Sequence, residues 1–249
     1  MEEKFENIDA EVKINLHGSQ KFENFWYHYK WHTIVCAFIV VALTILTLQF
    51  CTKTEYNVHI IYAGEKAIGM TSLSGNGNSE YTELVSALES VAEGAGFEEK
   101  ANINLQNLRI LSLKELEEVT SGSVDPMEKA RLETEIQNNT DTLYNSIMFG
   151  EYYLCFLSED VFLSYETLFE SSVFAPIAPY EKEGGSYVYA SERGIYLSSL
   201  EIYELPAIKK LPADTVVCIR QPGVLGAKDN GKAYAEAEKM LKAVLSYGE

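Results

Sequence analysis

Hydrolases, thiol oxidoreductases and nucleotide enzymes each need particular side chains at particular spacings, and this 249-residue sequence carries few of them. All four histidines, His17, His28, His32 and His59, precede residue 60. Histidine is the commonest general base, so a nucleophile in the later chain could draw only on His59. That residue sits inside the apolar run "YNVHIIY", where a structural, hydrogen-bonded imidazole is expected. No HExxH, CxxC, P-loop or GxSxG pattern occurs, which removes the standard signatures of zinc hydrolysis, thiol redox chemistry, nucleotide hydrolysis and esterase chemistry. The expectation is a non-catalytic chain with no cofactor and no metal site.

Three stretches could still bind something. "SED", Ser158 to Asp160, sets two carboxylates after an apolar run, at the strand end where α/β sheets take ligands. The same residues also read as a serine cap with acids in the first helical turn, which complements the helix dipole. "SGNGNSE", Ser74 to Glu80, places glycines before a helix start but lacks a phosphate-binding lysine, and reads as a flexible loop. "KDNGK", Lys228 to Lys232, has too few acids for a calcium loop and reads as a turn and helix cap. The 16 tyrosines suit either ligand contacts or half-buried strand faces.

The elements that must position these groups alternate in type. "YNVHIIYAG" is a buried strand ending at Tyr62 and Gly64, which join Ser158, Glu159 and Asp160 as candidate ligand-binding residues. Apolar residues from Tyr81 to Ala92 recur at helical spacing and predict a helix over 80–93. "LRILSL", Leu108 to Leu113, reads as the next strand. "DPMEKARLETEIQ" opens a helix, with Asp125 as cap, Pro126 in the first turn and Glu128 reaching back. "EYYLCFLS" is a strand and "SEDVFLSYETLF" a helix with Ser158 as its cap. Later, "SYVYASERGIYLSS" reads as a hairpin turning at Glu192–Gly194, "DTVVCIR" as a buried strand and 229–246 as a closing helix. This alternation predicts an α/β domain over 52–249 with a mostly parallel sheet.

Ahead of that domain, no formal charge occurs between Lys30 and Lys53, and Thr33 to Phe50 is an uncharged, mostly apolar run. Its length permits a membrane-spanning helix. Trp26, Tyr27, Tyr29, Lys30 and Trp31 form an amphipathic cluster of the kind that marks a membrane interface. The long preceding tail and the large residues of "TLQFC" do not match a cleaved signal, so 25–51 reads as a transmembrane anchor. Residues 1–24 read as a disordered cytoplasmic tail, and the positive-inside rule together with domain size places the α/β domain outside the cell membrane.

The first 51 residues hold four of the 20 basic and six of the 37 acidic groups, leaving the rest with a net charge of −15. A nucleic-acid partner is excluded by that sign. Cys155 and Cys218 lie in apolar runs, where two buried thiols are expected rather than a disulfide, although an oxidising exterior would allow a bridge if the strands were neighbours.

The opening strand ending "YAG", the stretch "LETEIQNNTDTLYNSIMFGEYYLCFLSEDVF" and the closing "DTVVCIRQPG" with its helix together resemble extracytoplasmic solute-binding proteins of the type II periplasmic-binding fold, in a shortened form. The resemblance follows the order of elements over most of 56–249. It implies a helix leading into a strand whose end carries ligand contacts, and a last helix packed across a lobe. The "FWYHYKWH" cluster before the anchor is similar to single-pass proteins of Gram-positive anaerobes. The expected function is a membrane-anchored extracytoplasmic binding module, for a small solute or an envelope protein partner. The alternative is a transmembrane sensor or assembly subunit signalling through the short tail. An envelope enzyme using Glu159 and Asp160 ranks last.

Overall fold

The computed structural model describes residues 18–51, 56–66, 68–69, 77–97, 100–121, 125–170, 173–182, 184–223 and 231–248. The tail up to residue 17, Ser74–Asn76 of the glycine loop and Lys228–Asn230 of "KDNGK" lie outside them. The chain divides into two units, Met1–Thr54 and Glu55–Glu249.

The first unit contains helix α1, Gly18–Cys51. Its segment Phe25–Leu48, 24 residues, is long and apolar enough to cross a membrane and buries nothing within the protein. At 1.5 Å per residue it measures about 36 Å, more than a hydrocarbon core of roughly 30 Å. Its three threonines are satisfied internally: Thr33, Thr44 and Thr47 donate to the carbonyls of Tyr29, Val40 and Leu43 one turn earlier, as a lipid environment demands. Trp26, Tyr27, Tyr29, Lys30 and Trp31 are all exposed around one end of the apolar segment.

The second unit is a mixed α/β domain around one six-stranded sheet. In chain order it comprises β1 (Val58–Gly64), α2 (Gly77–Ala92), β2 (Ile103–Arg109), α3 (Leu113–Thr120), α4 (Pro126–Phe149), β3 (Leu154–Ser158), α5 (Glu159–Leu168), β4 (Tyr189–Ser191), β5 (Gly194–Tyr196), β6 (Thr215–Ile219) and α6 (Gly231–Leu245). The strand order is β2-β1-β3-β6-β5-β4. β1 pairs in parallel with both β2 and β3, whereas β6 is antiparallel to β3 and to β5. The expected mostly parallel sheet is therefore parallel in one half only. The reason lies in the connection, because a parallel neighbour needs a crossover back to the starting edge. Short 3-10 turns at Leu197–Ser199, Glu201–Glu204 and Ile208–Lys210 occupy the link from β5 to β6 instead. Tyr196 at the end of β5 lies opposite Val216 at the start of β6, so the chain re-enters from the end by which it left.

Alternation along the strands builds two cores. Ile60, Tyr62, Leu105, Leu154, Phe156, Val217 and Ile219 face α2 and α6, which contribute Leu84, Leu88, Met240, Leu241 and Val244. Ile61, Ala63, Cys155, Leu157, Val216 and Cys218 face α4 and α5, with Leu143, Ile147, Met148 and Phe162. Each fully buried Leu or Ile stabilises by about 1.5–3 kcal/mol.

One expected boundary shifts and one expected cap bond is not made. The second strand is Ile103–Arg109, not Leu108–Leu113, because Ser112 caps α3: its side chain accepts from the Glu115 N–H while Glu115 accepts from the Ser112 N–H. Asp125 caps α4 as expected, accepting from the Met127 N–H at 3.0 Å with Pro126 in the first turn. Ser158 precedes α5 but its side chain makes no cap hydrogen bond, so that hydroxyl is not spent on the helix.

Candidate functional site

The parallel half of the sheet determines where a crevice can form. From β1 the chain passes through α2 on one face to β2, then through α3 and α4 to β3, with α4 packed on the other face. The connections diverge at the carboxyl ends of β1 and β3, and such a switch point is where open α/β sheets bind ligands.

Tyr62, Gly64 and Ser158 meet at that point. A Cβ built on Gly64 would stand 2.9 Å from Tyr62 Oη and 3.6 Å from Ser158 Cβ. The absent side chain of Gly64 is what lets the Tyr62 ring lean along the strand toward Ser158. Adjacent strands extend the row, since Asn107 on β2 is the register partner of Tyr62 and Thr215 on β6 that of Ser158. Alternation puts all five residues on the α2/α6 face.

Three oxygens in this row are buried and make no hydrogen bond among the described residues: Tyr62 Oη, Asn107 Oδ1 and Thr215 Oγ1. Tyr62 and Thr215 are each 1 % exposed. Buried polar atoms are almost always paired, because an unpaired one keeps its full desolvation penalty. Three in one row, on three strands of one sheet, is a concentration that packing alone does not require. Burial first, then the Asp214 and Glu65 carboxylates, push the Tyr62 phenol well above its ordinary range, against the opposing Lys66 backbone N–H. Tyr62 is thus a neutral hydroxyl at any physiological pH.

A strap formed by the residues after β1 is held close to this end of the sheet. Asn107 Nδ2 donates to the Ile68 carbonyl, Arg109 Nε to the Glu65 carbonyl at 3.3 Å, and Lys66 Nζ to the Lys210 carbonyl at 2.9 Å. Ile68 is buried in the same core as Tyr62. The oxygens are therefore shut off from solvent in this conformation. Two depressions of the surface among the described residues lie apart from this row, one of about 1060 Å³ along α4 beside Met127, Arg131 and Thr134, and another of about 590 Å³ beside Pro176, Tyr189 and Glu192.

Glu159 and Asp160 take different roles. Glu159 accepts a 2.6 Å hydrogen bond from Tyr196 Oη, and this bond is the main reason the Tyr196 phenol is raised. Asp160 is exposed on the first turn of α5. Both complement the helix dipole, while Ser158 stays in the row. His59 is structural in its contacts: Nδ1 lies 3.3 Å from Asn104 Nδ2, Nε2 lies 3.8 Å from a Glu151 carboxylate oxygen, and the ring packs edge-on against Tyr152. Among the described residues, no group of three His, Cys, Asp or Glu side chains is arranged to hold a metal ion.

Asn107 and Thr215 are the site residues that sequence reasoning missed. Asn107 was hidden by the misplaced strand boundary. Thr215 opens an apolar run in which nothing marks its hydroxyl as special; a shared row becomes visible only once register is known. The constellation can donate and accept hydrogen bonds through neutral groups, which suits recognition of a polar solute. Comparison of the chain with protein-family models, with curated proteins and with solved structures finds no match in any of the three.

Proposed function

We propose that this chain is a single-pass membrane protein with its N-terminus in the cytoplasm and its α/β domain outside. In this reading the domain is a reduced relative of the periplasmic-binding fold that takes up a small polar solute without catalysis. The observation that carries the reading is the row of buried oxygens, Tyr62 Oη, Asn107 Oδ1 and Thr215 Oγ1, that make no full hydrogen bond among the described residues, beside Gly64 and Ser158 at the β1/β3 switch point. A ligand with its own donors and acceptors supplies these partners, and entry requires Glu65, Lys66 and Ile68 to lift from the strand ends. The parallel β2-β1-β3 half and the closing helix α6 across one face support the likeness in fold. The acidic domain and the aromatic cluster before the apolar helix support the outward placement.

The test is thermal unfolding of the full chain in detergent against a panel of amino acids, short peptides, sugars and metal ions. A ligand at 100 times its Kd stabilises the native state by about 2.7 kcal/mol. The gain should vanish in a Gly64→Ala variant, whose new methyl displaces the Tyr62 ring. A flat panel with the protein well folded rejects the solute reading and leaves an envelope protein as the partner.

A further inference from the structure

Three strand ends beside the buried row each carry a carboxylate next to a row residue. Glu65 follows Gly64 at the end of β1, Glu159 follows Ser158 at the end of β3, and Asp214 precedes Thr215 at the start of β6. These strands are neighbours in the sheet, so at about 4.8 Å per strand the three ends fall within about 10 Å. That span is comparable to the Debye length at physiological salt, and the three charges act together.

Their partners within the protein differ. Glu159 takes the Tyr196 hydroxyl, whereas Glu65 and Asp214 are exposed and enter none of the ion pairs among the described residues. The cations nearby are engaged elsewhere: Lys210 Nζ pairs with Glu83 at 2.7 Å, Lys66 Nζ donates to the Lys210 carbonyl at 2.9 Å, and Arg109 Nε donates to the Glu65 carbonyl at 3.3 Å. After burial, which is the larger effect, Asp214 and Glu65 raise the Tyr62 phenol, so their charge reaches into the row.

Within the row, the polarity of one group is fixed. Asn107 Nδ2 donates to the Ile68 carbonyl, which sets the orientation of the amide and leaves Oδ1, buried and unpaired among the described residues, able only to accept. Thr215 Oγ1, also unpaired and on a residue 1 % exposed, can accept as well. An occupant must therefore bring N–H or O–H donors, and the flanking carboxylates favour one that also brings positive charge. A compact metal ion does not fit, because no three such ligands converge among the described residues.

We propose that the solute of this site is an organic cation, a primary or secondary amine whose charge is held at the rim by Glu65 and Asp214 and whose donors serve Asn107 Oδ1 and Thr215 Oγ1. The inference rests on the solute-binding reading above and names the class of solute.

The experiment measures thermal unfolding of the full chain in detergent with matched probes. Ethanolamine, glucosamine and spermidine are each set beside an uncharged counterpart, ethylene glycol, N-acetylglucosamine and triethylene glycol, with succinate and glucuronate as anions. The expected result is stabilisation by at least one amine and not by its counterpart, weakening as salt is raised and lost in Gly64→Ala. Asp214→Asn and Glu65→Gln, both at exposed positions, should each lower the affinity for that amine about two- to fivefold, the range of an exposed ion pair. An uncharged or anionic probe that stabilises as well as the amines overturns the proposal and leaves the solute-binding reading standing. An amine that binds equally well to all three variants sits elsewhere on the acidic surface, which also overturns it. A well-folded protein stabilised by none of the probes overturns the proposal and the solute-binding reading together.

Discussion

Replacing Tyr62 by phenylalanine removes one oxygen and leaves the ring in place, and replacing Thr215 by valine exchanges a hydroxyl for a methyl of the same shape. At most positions in a core such changes destabilise, because a hydrogen-bond partner is left behind. Here Thr215 Oγ1 has no partner among the described residues and Tyr62 Oη has only the weak approach of the Lys66 backbone N–H, and each residue is 1 % exposed. An unsatisfied buried polar group costs about 1–3 kcal/mol, so each substitution should stabilise the ligand-free protein by about that amount. The Lys66 N–H that faces Tyr62 puts Tyr62→Phe at the lower end. β1 and β6 flank β3, so the two sites are roughly 10 Å apart across the sheet, and their effects should add to within about 0.5 kcal/mol. In a domain of this size 1 kcal/mol moves Tm by roughly 2–4 °C. The assay is urea unfolding of the detergent-solubilised chain, reading the midpoint at constant slope. The same variants should lose any solute found by the panel, the usual exchange of stability for function. Loss of more than about 1 kcal/mol in either single variant, with unchanged slope, would show that the oxygen is already paired and would refute the reasoning.

Other perturbations probe the frame around the site. A methyl at Gly194 would stand 2.5 Å from Val216 Cγ1 and 2.7 Å from Phe162 Cζ, so Gly194→Ala should cost about 1–3 kcal/mol by overpacking, read by thermal unfolding. Ser112→Ala removes the side-chain half of the α3 capping box and leaves the backbone N–H of residue 112 on the Glu115 carboxylate, and should cost about 0.5–2 kcal/mol in the same assay. Burial lowers the His59 pKa below 6.5, with Glu151 opposing. Below pH 6.5 the unfolded chain therefore binds more protons than the native one, so His59 costs stability progressively as the pH falls and nothing above that range. His59→Gln should flatten the fall in stability between about pH 7 and pH 5; an unchanged profile would place the titrating group elsewhere.

Local pattern determined the pieces of this protein. The uncharged run between Lys30 and Lys53 specifies a helix long enough for a membrane because length and composition are properties of the segment alone. Apolar spacing did the same for α2 and α6, and Asp125–Pro126 marked the start of α4, since a cap bonds to its own first turn. The β4–β5 hairpin was legible in its turn at Glu192–Gly194. Strand direction was not, because "LCFL" and "TVVCI" are buried on both faces and read alike whichever way they run. Only the path of the link before β6 made it antiparallel. Nor did "INLQNLR" announce itself as β2, because Gln106 and Asn107 are adjacent and break the apolar/polar alternation of this edge strand. The candidate site depends on both of these facts. Tyr62, Gly64 and Ser158 could be named from strand ends, but Asn107 and Thr215 join them through register, which is set by contacts between residues distant in sequence. The same register sets Cys155 against Cys218.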